Sequence, residues 1–268
     1  MLKNIFLKSL KDSLLTILYI FITYFLVCML IMYAVSELPL KEIQFIFDRL
    51  KIPEPLTTFI SGPGGINLTT VEGILNTDMF TIFAPLVTIG FAIFFGYSST
   101  KKEEEKRTLE IVLSTEISRS SFLIQKIASL IVKVFLISIS LFLAILISAY
   151  FFSLTISIEN IASVCFQLFL ISTTFGLLAI SVGTLHFEST NTYSLPATIA
   201  IISYIIYAIE PFLKSLGVIK YASLFYYYKG GDPLNNGLHS WHWVIFSIII
   251  CVTIFLSLYF WDKKDLDS

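Results

Sequence analysis

Six long apolar runs are the feature of this sequence that most restricts how it can fold. The hydrocarbon core of a bilayer is about 30 Å thick and a helix rises about 1.5 Å per residue, so a span needs about 20 apolar residues. Runs that meet this requirement lie at 13–33, 79–97, 128–152, 161–185, 193–212 and 241–261. Strands of a membrane barrel are shorter, about ten residues, and amphipathic. The sequence therefore predicts an all-α integral membrane protein with six transmembrane helices, forming a single transmembrane domain over 1–268.

The composition supports this class and excludes others. Of the 268 residues, 56% are hydrophobic and 14% are charged, which is unlike an ordinary soluble domain. The net charge of −1 shows no basic bias, so we expect membrane lipid as a partner and no nucleic acid. Cys28, Cys165 and Cys251 each lie in an apolar run, where a thiol behaves as a small hydrophobe. We expect no disulfide framework and no metal site.

The distribution of basic residues predicts the orientation, because Lys and Arg in short loops are retained on the cytoplasmic side. They precede the first run (Lys3, Lys8, Lys11), lie between the second and third (Lys101, Lys102, Lys106, Arg107, Arg119, Lys126) and follow the last (Lys263, Lys264). Both termini and the segment 98–127 are therefore predicted to be cytoplasmic, and the loops 35–78 and 213–240 to face outward. We expect a multi-pass protein of the plasma (cytoplasmic) membrane of a prokaryotic cell.

The first residues have a helical amphipathic pattern. Leu2, Ile5, Phe6 and Leu10 fall on one side of a helix, with Asn4, Lys8 and Lys11 on the other. This pattern is typical of a helix that lies in the membrane interface. We therefore expect an amphipathic N-terminal interfacial helix that leads obliquely into the first span.

The segment between the second and third runs carries a dense block of mixed charge. A helix there would place Glu103 near Lys106 and Arg107, at the spacing that brings side chains together on a helix surface. Leu109 and Leu113 would form an apolar strip alongside. Two interpretations follow from the residues alone: a docking surface for another protein, or a solvated helix that only reverses the chain.

Two motifs resemble the type-2 ABC-transporter permease family. The stretch EEEKRTLEIVLSTEISRSSFLIQKI, residues 103–127, is similar to that family's E-E-x-x-G-T-L-E-L-L-L-S-x-P-[IV]-S-R segment, followed by a Lys. Arg107 stands at its usual glycine and Glu116 at its usual proline. The stretch LFYYYKGGDPLNNG, residues 224–237, resembles the family's S-P-F-x-Y-x-x-G-G-x-P-L-x-N-G segment before the last span. The terminal DKKDL is similar to its basic tail.

The resemblance implies a permease subunit driven by separate ATP-binding subunits. Two copies of that ATPase would dock under two permeases, which are either two copies of this chain or this chain and a related permease. ATP and Mg would bind the ATPase, with no cofactor and no catalysis on this chain. The sequence contains no G-x-x-x-x-G-K-[ST] phosphate cradle. The residues implied to couple the subunits are Glu103, Glu104, Glu105, Arg107, Thr108, Leu109, Glu110, Leu113 and Arg119. His186 and Glu188 would form a second cytoplasmic contact.

Consecutive aromatics and turn formers before the last run predict a cap at the outer interface. The cap would contain a candidate outer gate, which closes the exit while cargo is absent. Its residues are Tyr226, Tyr227, Tyr228, Gly230, Gly231, Asp232 and Pro233. Small residues at four-residue spacing, Ser172 with Gly176 and Ala179 with Gly183, predict close helix contact in the fourth span.

Ionisable residues are scarce within the apolar runs, which favours an amphipathic or apolar cargo over ions. Glu210, near the end of the fifth run, either faces a water-filled mouth or reaches the headgroups. The leading hypothesis is an ATP-driven export permease. Two other classes stay open: an ATP-independent channel or carrier, and a membrane-embedded enzyme that uses His186 or the pair His239 and His242.

Overall fold

The structure is a computed structural model, and it describes residues 5–50, 52–62, 65–100, 118–185, 189–212, 218–238 and 241–263. The first half contains α1 (Ile5–Glu37), α2 (Leu40–Arg49), α3 (Glu54–Ser61), α4 (Val71–Ile74), a π-helix (Leu75–Phe83) and α5 (Ala84–Ser99). The second half contains α6 (Arg119–Phe151), α7 (Ile158–Thr184), α8 (Ser189–Ile209), two 3₁₀ turns (Glu210–Phe212 and Ile219–Ala222), α9 (Leu224–Lys229), α10 (Pro233–Asn236) and α11 (His242–Lys263).

Six helices in the described part of the chain are long and apolar enough to cross a membrane. They are α1, the continuous helix Val71–Ser99, α6, α7, Asn191–Ile209 within α8, and α11. The predicted all-α, six-helix membrane fold is confirmed at this level. Several of these helices extend beyond the predicted runs, as Ile5–Glu37 and Val71–Ser99 do.

The described ends of the chain lie at one end of the helix bundle. The backbone N–H of Ile5 donates to Gln125 Oε1 over 3.1 Å, near the start of α6. The indole Nε1 of Trp261 donates to the carbonyl of Arg119 over 3.0 Å, and its ring stacks on Phe122. We call this the terminal end and the opposite one the cap end. Which end faces the cytoplasm stays a prediction.

The described part of the predicted N-terminal interfacial helix runs directly into the first span. From Ile5 onward the chain is one continuous helix of 33 residues, without a break before the first span. Its first turns are held against α6: Gln125 Oε1 also accepts from the N–H of Phe6, and Lys133 Nζ donates to Ser9 Oγ over 2.8 Å. These bonds across the bundle hold the first turns in the helix bundle.

Helix α7 is the most buried of the six spans and contacts α5, α6, α8 and α11. Small residues allow its close approach to α5. A Cβ added at Gly96 of α5 would lie 2.7 Å from the Cβ of Ala179, and closer still to the carbonyl of Gly176. The small residues singled out in the fourth span thus lie at a helix crossing, and their partner is the second span.

Candidate functional site

An apolar groove runs along the surface formed by α3, the π-helix with α5, and α8. Its volume is about 400 Å³. Its walls are almost entirely hydrocarbon and aromatic: Phe59, Thr81, Ile82, Pro85, Leu86, Ile89, Gly90, Ile93, Ala197, Ala200, Ile201, Tyr204, Ile205 and Phe225. Gly90 leaves part of this wall open, since a Cβ built there meets no atom within 4 Å. The groove therefore suits an apolar occupant.

A second, polar cavity of about 210 Å³ lies at the cap end. Its lining is polar or charged at nearly every position: Ser61, Asn76, Tyr207, Glu210, Lys220, Tyr226, Lys229, Gly230 and Asp232. Two lysines face two carboxylates, so their formal charges cancel. Lys220 Nζ and Glu210 Oε1 are 3.7 Å apart, and both side chains remain about one-third exposed, at 28% and 32%.

The groove and the cavity adjoin each other on three helices. On α8, Tyr204 lines the groove and Tyr207, one turn later, lines the cavity, with ring centroids 6.4 Å apart. On α9, Phe225 lines the groove and Tyr226 lines the cavity. On α3, Phe59 lines the groove and Ser61 lines the cavity. The lining thus changes from apolar to polar within one helical turn.

Serine hydroxyls fasten the start of α9 to α8. Ser223 caps α9 by accepting from the N–H of Tyr226 over 3.3 Å, and it donates to the carbonyl of Ser203 over 2.6 Å. Ser203 Oγ in turn accepts from the N–H of Leu224 over 2.8 Å. Because both hydroxyls are buried with partners, this junction positions Phe225 at the groove and Tyr226 at the cavity.

The other end of α9 is fastened to the π-helix of the second span. Tyr228 OH donates to the carbonyl of Phe80 over 2.9 Å. Lys229 Nζ donates to Asn76 Oδ1 and, over 3.4 Å, to the Asn76 carbonyl. π-helical segments are rare and frequently occur at functional sites. Here the wider turn lies where side chains from α9 reach two of its carbonyls.

Burial changes the protonation behaviour of two residues in this link. Lys229 is only 8% exposed, and burial lowers its pKa to about 7, with Asp232 acting in the opposite direction. Burial also raises the pKa of Tyr228 well above its ordinary value, so its hydroxyl stays a neutral donor. Desolvation disfavours the charged form of each group. Lys229 is thus able to change charge near neutral pH.

The structure brings several predicted gate residues to the polar cavity. Tyr226, Gly230 and Asp232 line it, whereas Tyr228 is buried against the second span. Tyr227 OH donates to the carbonyl of Tyr221 over 3.0 Å, and its ring lies 5.6 Å from that of His242. Gly231 and Asp232 have φ values of 84° and 50°, which form the left-handed turn before Pro233 begins α10.

Most predicted coupling residues lie outside the described residues. They are Glu103, Glu104, Glu105, Arg107, Thr108, Leu109, Glu110 and Leu113, together with His186 and Glu188 of the second predicted contact. Arg119 is described: it begins α6, where Ser118 Oγ caps the helix by accepting from the N–H of Ser121 over 3.3 Å.

Sequence reasoning missed the residues that complete the cavity. Asn76 and Lys229 were not singled out, and Glu210 was not assigned a basic partner. The available signal was the position of Asn76, a polar residue just before the predicted run 79–97. Since Asn76 and Lys229 are 153 positions apart, no local pattern indicates that they meet.

No family model, no curated protein and no solved structure matches this chain. Among the residues that the structure describes, no group of three or more His, Cys, Asp or Glu side chains is placed to hold a metal ion.

Proposed function

We propose that this chain is the membrane-spanning permease subunit of an ABC exporter, and that it forms the path for an amphipathic or apolar molecule driven outward by a separate ATP-binding subunit. The observation that carries the proposal is the apolar groove on the second and fifth spans, which ends in a charge-balanced cavity beneath α9. Small-molecule sites are typically apolar clefts with a few placed polar groups.

The groove leaves large apolar side chains uncovered. Leu86 and Ile201, on its two sides, are 70% and 60% exposed. Apolar surface of this kind requires lipid, cargo or another protein to cover it. Pairing with a second permease across the second and fifth spans would enclose a path between two such grooves.

The force-supplying partner is proposed from the resemblance of residues 103–127 to the permease family. The flanking helices support docking at the terminal end, because α5 ends there at Ser99 and α6 begins there at Arg119. A partner docked at that end would act on the second and third spans directly. The carboxylates of this segment would orient its approach.

An ATP-independent carrier is the second candidate, and Lys229 is the observation that favours it. A buried lysine that changes charge near neutral pH is the kind of group that proton-coupled carriers use. Its position beside the π-helix would allow a change of charge to alter how α9 is fastened. A stable complex with an ATPase would favour the ABC permease over the ATP-independent carrier.

The test is co-purification of an ATPase from the native host with the tagged chain, followed by ATP hydrolysis in lipid nanodiscs. Leu109→Asp should remove the ATPase, because it places a charge in an apolar contact. Glu104→Lys and Glu110→Lys should weaken assembly or stimulated hydrolysis. Glu42→Lys is the matched control, since Glu42 is exposed on α2, after the cap end of α1 and away from the terminal end.

Full ATPase assembly with the Leu109 and glutamate variants combined would show the coupling assignment to be wrong. A chain that purifies without any ATPase and still transports would instead establish the carrier or channel.

A further inference from the structure

We propose that the apolar groove and the polar cavity form one binding site for a zwitterionic membrane amphiphile, with an acyl chain along the groove and a phosphate–amine headgroup in the cavity. This inference rests on the proposed function in one respect: the bound molecule is the cargo only if the chain is an export permease. The binding itself requires only the residues described here.

The acyl chain is assigned to the groove because nothing there compensates a charged ligand. The groove's volume of about 400 Å³ falls within the roughly 300–1,000 Å³ of small-molecule sites. Its lining contains no charged side chain. The Tyr204 hydroxyl is already engaged, since it donates to the carbonyl of Phe59. A flexible hydrocarbon chain is the occupant that leaves no polar group without a partner.

The phosphate is assigned to the lysines of the cavity. A protonated lysine has three N–H donors, and Lys229 uses two of them on Asn76. Its third donor is available to an anion in the cavity. Lys220 is held by Glu210 at 3.7 Å, longer than a direct hydrogen bond, so it can also donate to a phosphate oxygen. Charge-assisted bonds of this kind are short and strong.

The amine is assigned to the carboxylates. Asp232 Oδ2 accepts from Asn235 Nδ2 over 2.6 Å, which leaves acceptor capacity on a group with about four lone-pair sites. Glu210 lines the same cavity. A phosphate beside Lys229 favours the protonated form of that lysine. With Lys229 protonated, two lysines and two carboxylates sum to zero charge, so a ligand with a net charge would leave one group uncompensated in a partly enclosed site. A headgroup that carries both charges balances all four.

The contact between the two compartments selects an amphiphile over other occupants. Tyr204 of the groove lies 6.4 Å from Tyr207 of the cavity and 5.2 Å from Phe225, between ring centroids. A molecule whose headgroup and chain are covalently joined can fill both at once. A free zwitterion would use only the cavity, and a second copy of this chain would cover only the groove.

The experiment uses the full-length chain, purified in detergent and freed of lipid, and measures binding by native mass spectrometry and titration. The probes are lyso-phosphatidylethanolamine, its anionic analogue lyso-phosphatidylglycerol, and glycerophosphoethanolamine, which has the same zwitterionic phosphodiester headgroup without an acyl chain. We expect the zwitterionic lipid to bind at least about tenfold more tightly than either of the others, because only it satisfies both compartments.

Three variants and one control locate the site. Lys229→Met and Lys220→Gln should each weaken binding of the zwitterionic lipid about tenfold. Gly90→Leu should weaken it similarly by filling the groove. Lys41→Met is the control, because Lys41 is exposed on α2 and lines neither compartment. Lys220 is partly exposed and Gly90 has open space around it, so these two variants test the site even if Lys229→Met fails to fold.

Three results would overturn the proposal. Equal affinities for the anionic and the zwitterionic lipid would show that the charge balance of the cavity does not select the ligand. Equal affinity for glycerophosphoethanolamine would show that the groove does not contribute to binding. A dimer that buries the groove and binds no lipid would assign that surface to a second copy. None of these measurements involves the ATPase. A negative result for lipid binding is therefore distinguishable from a negative result for the export proposal.

Discussion

Gln167, in the middle of α7, is the least compensated polar side chain of the core. It is 0% exposed, and neither its Oε1 nor its Nε2 has a hydrogen-bond partner among the described residues. A buried group without a partner costs about 1–3 kcal/mol. We therefore expect Gln167→Met, which keeps the side-chain length and removes both polar atoms, to leave the free energy of unfolding unchanged or to raise it by about 1 kcal/mol.

Thermal unfolding in detergent measures this effect, and Gln44→Met is the matched control. The Gln44 amide has partners: its Nε2 donates to Asp48 Oδ1 and its Oε1 accepts from the N–H of Leu68, each over 2.8 Å. The same substitution should destabilise there. A clear loss of stability at Gln167 would mean that the amide is bonded in the assembled protein, to water or to a second chain.

Lys229 makes the stability of the chain depend on pH. An unfolded lysine titrates at about 10.4, whereas burial lowers the pKa of Lys229 in the folded chain to about 7. Between these values the unfolded state binds more protons, so the free energy of unfolding rises as pH increases. Below about pH 7 the lysine is protonated in both states and the cost of burying its charge is constant.

We expect the melting temperature of the wild type, relative to Lys229→Met, to rise between pH 7 and pH 9. The other titratable groups that line the cavity are present in both proteins, so the difference isolates the lysine. They are Tyr207, Glu210, Lys220, Tyr226 and Asp232. A difference for Lys229→Met that stays flat with pH would show that the pKa of Lys229 is not lowered.

The crossing of α5 and α7 is the helix contact most sensitive to added volume. Gly96→Ala would bring the new methyl group to 2.7 Å from the Ala179 side chain and into the Gly176 carbonyl. Overpacking of this kind costs about 1–3 kcal/mol. Gly90→Ala on the same helix is the control: it meets no atom within 4 Å and should gain up to about 1 kcal/mol of helix propensity.

The comparison is read from the melting temperatures of the two purified variants. A Gly96→Ala protein as stable as Gly90→Ala would mean that the two helices lie further apart than the structure places them.

The whole molecule should orient with its terminal end in the cytoplasm. Single cysteines at Lys41, on α2 after the cap end of α1, and at Asp262, near the end of α11, test this, because both positions are exposed. The native cysteines (Cys28, Cys165 and Cys251) are first replaced with alanine. An impermeant thiol reagent should label position 41 in intact cells and position 262 only after permeabilisation. The opposite pattern would reverse the topology.

The sequence by itself determined the fold class and the succession of membrane spans. Span identity depends on the length and apolarity of a single run, and both are local properties that any reader of the sequence can measure. The tyrosines and turn residues at 226–233 were also found locally, because turn formers and interfacial aromatics act within a few positions. The bonds from Gln125 and Lys133 of α6 to the first turns of α1 could not be predicted from a local pattern, because they join residues 120 and 124 positions apart.

Only the tertiary structure decided the site. The link from Lys229 to Asn76, the π-helix beneath it and the meeting of groove and cavity all require helices far apart in the sequence to lie side by side. The small residues of the fourth span predicted a contact but could not name Gly96 as its partner. Local hydrophobicity specifies that a helix is buried in lipid or protein, while the choice of neighbour depends on how whole helix surfaces fit together.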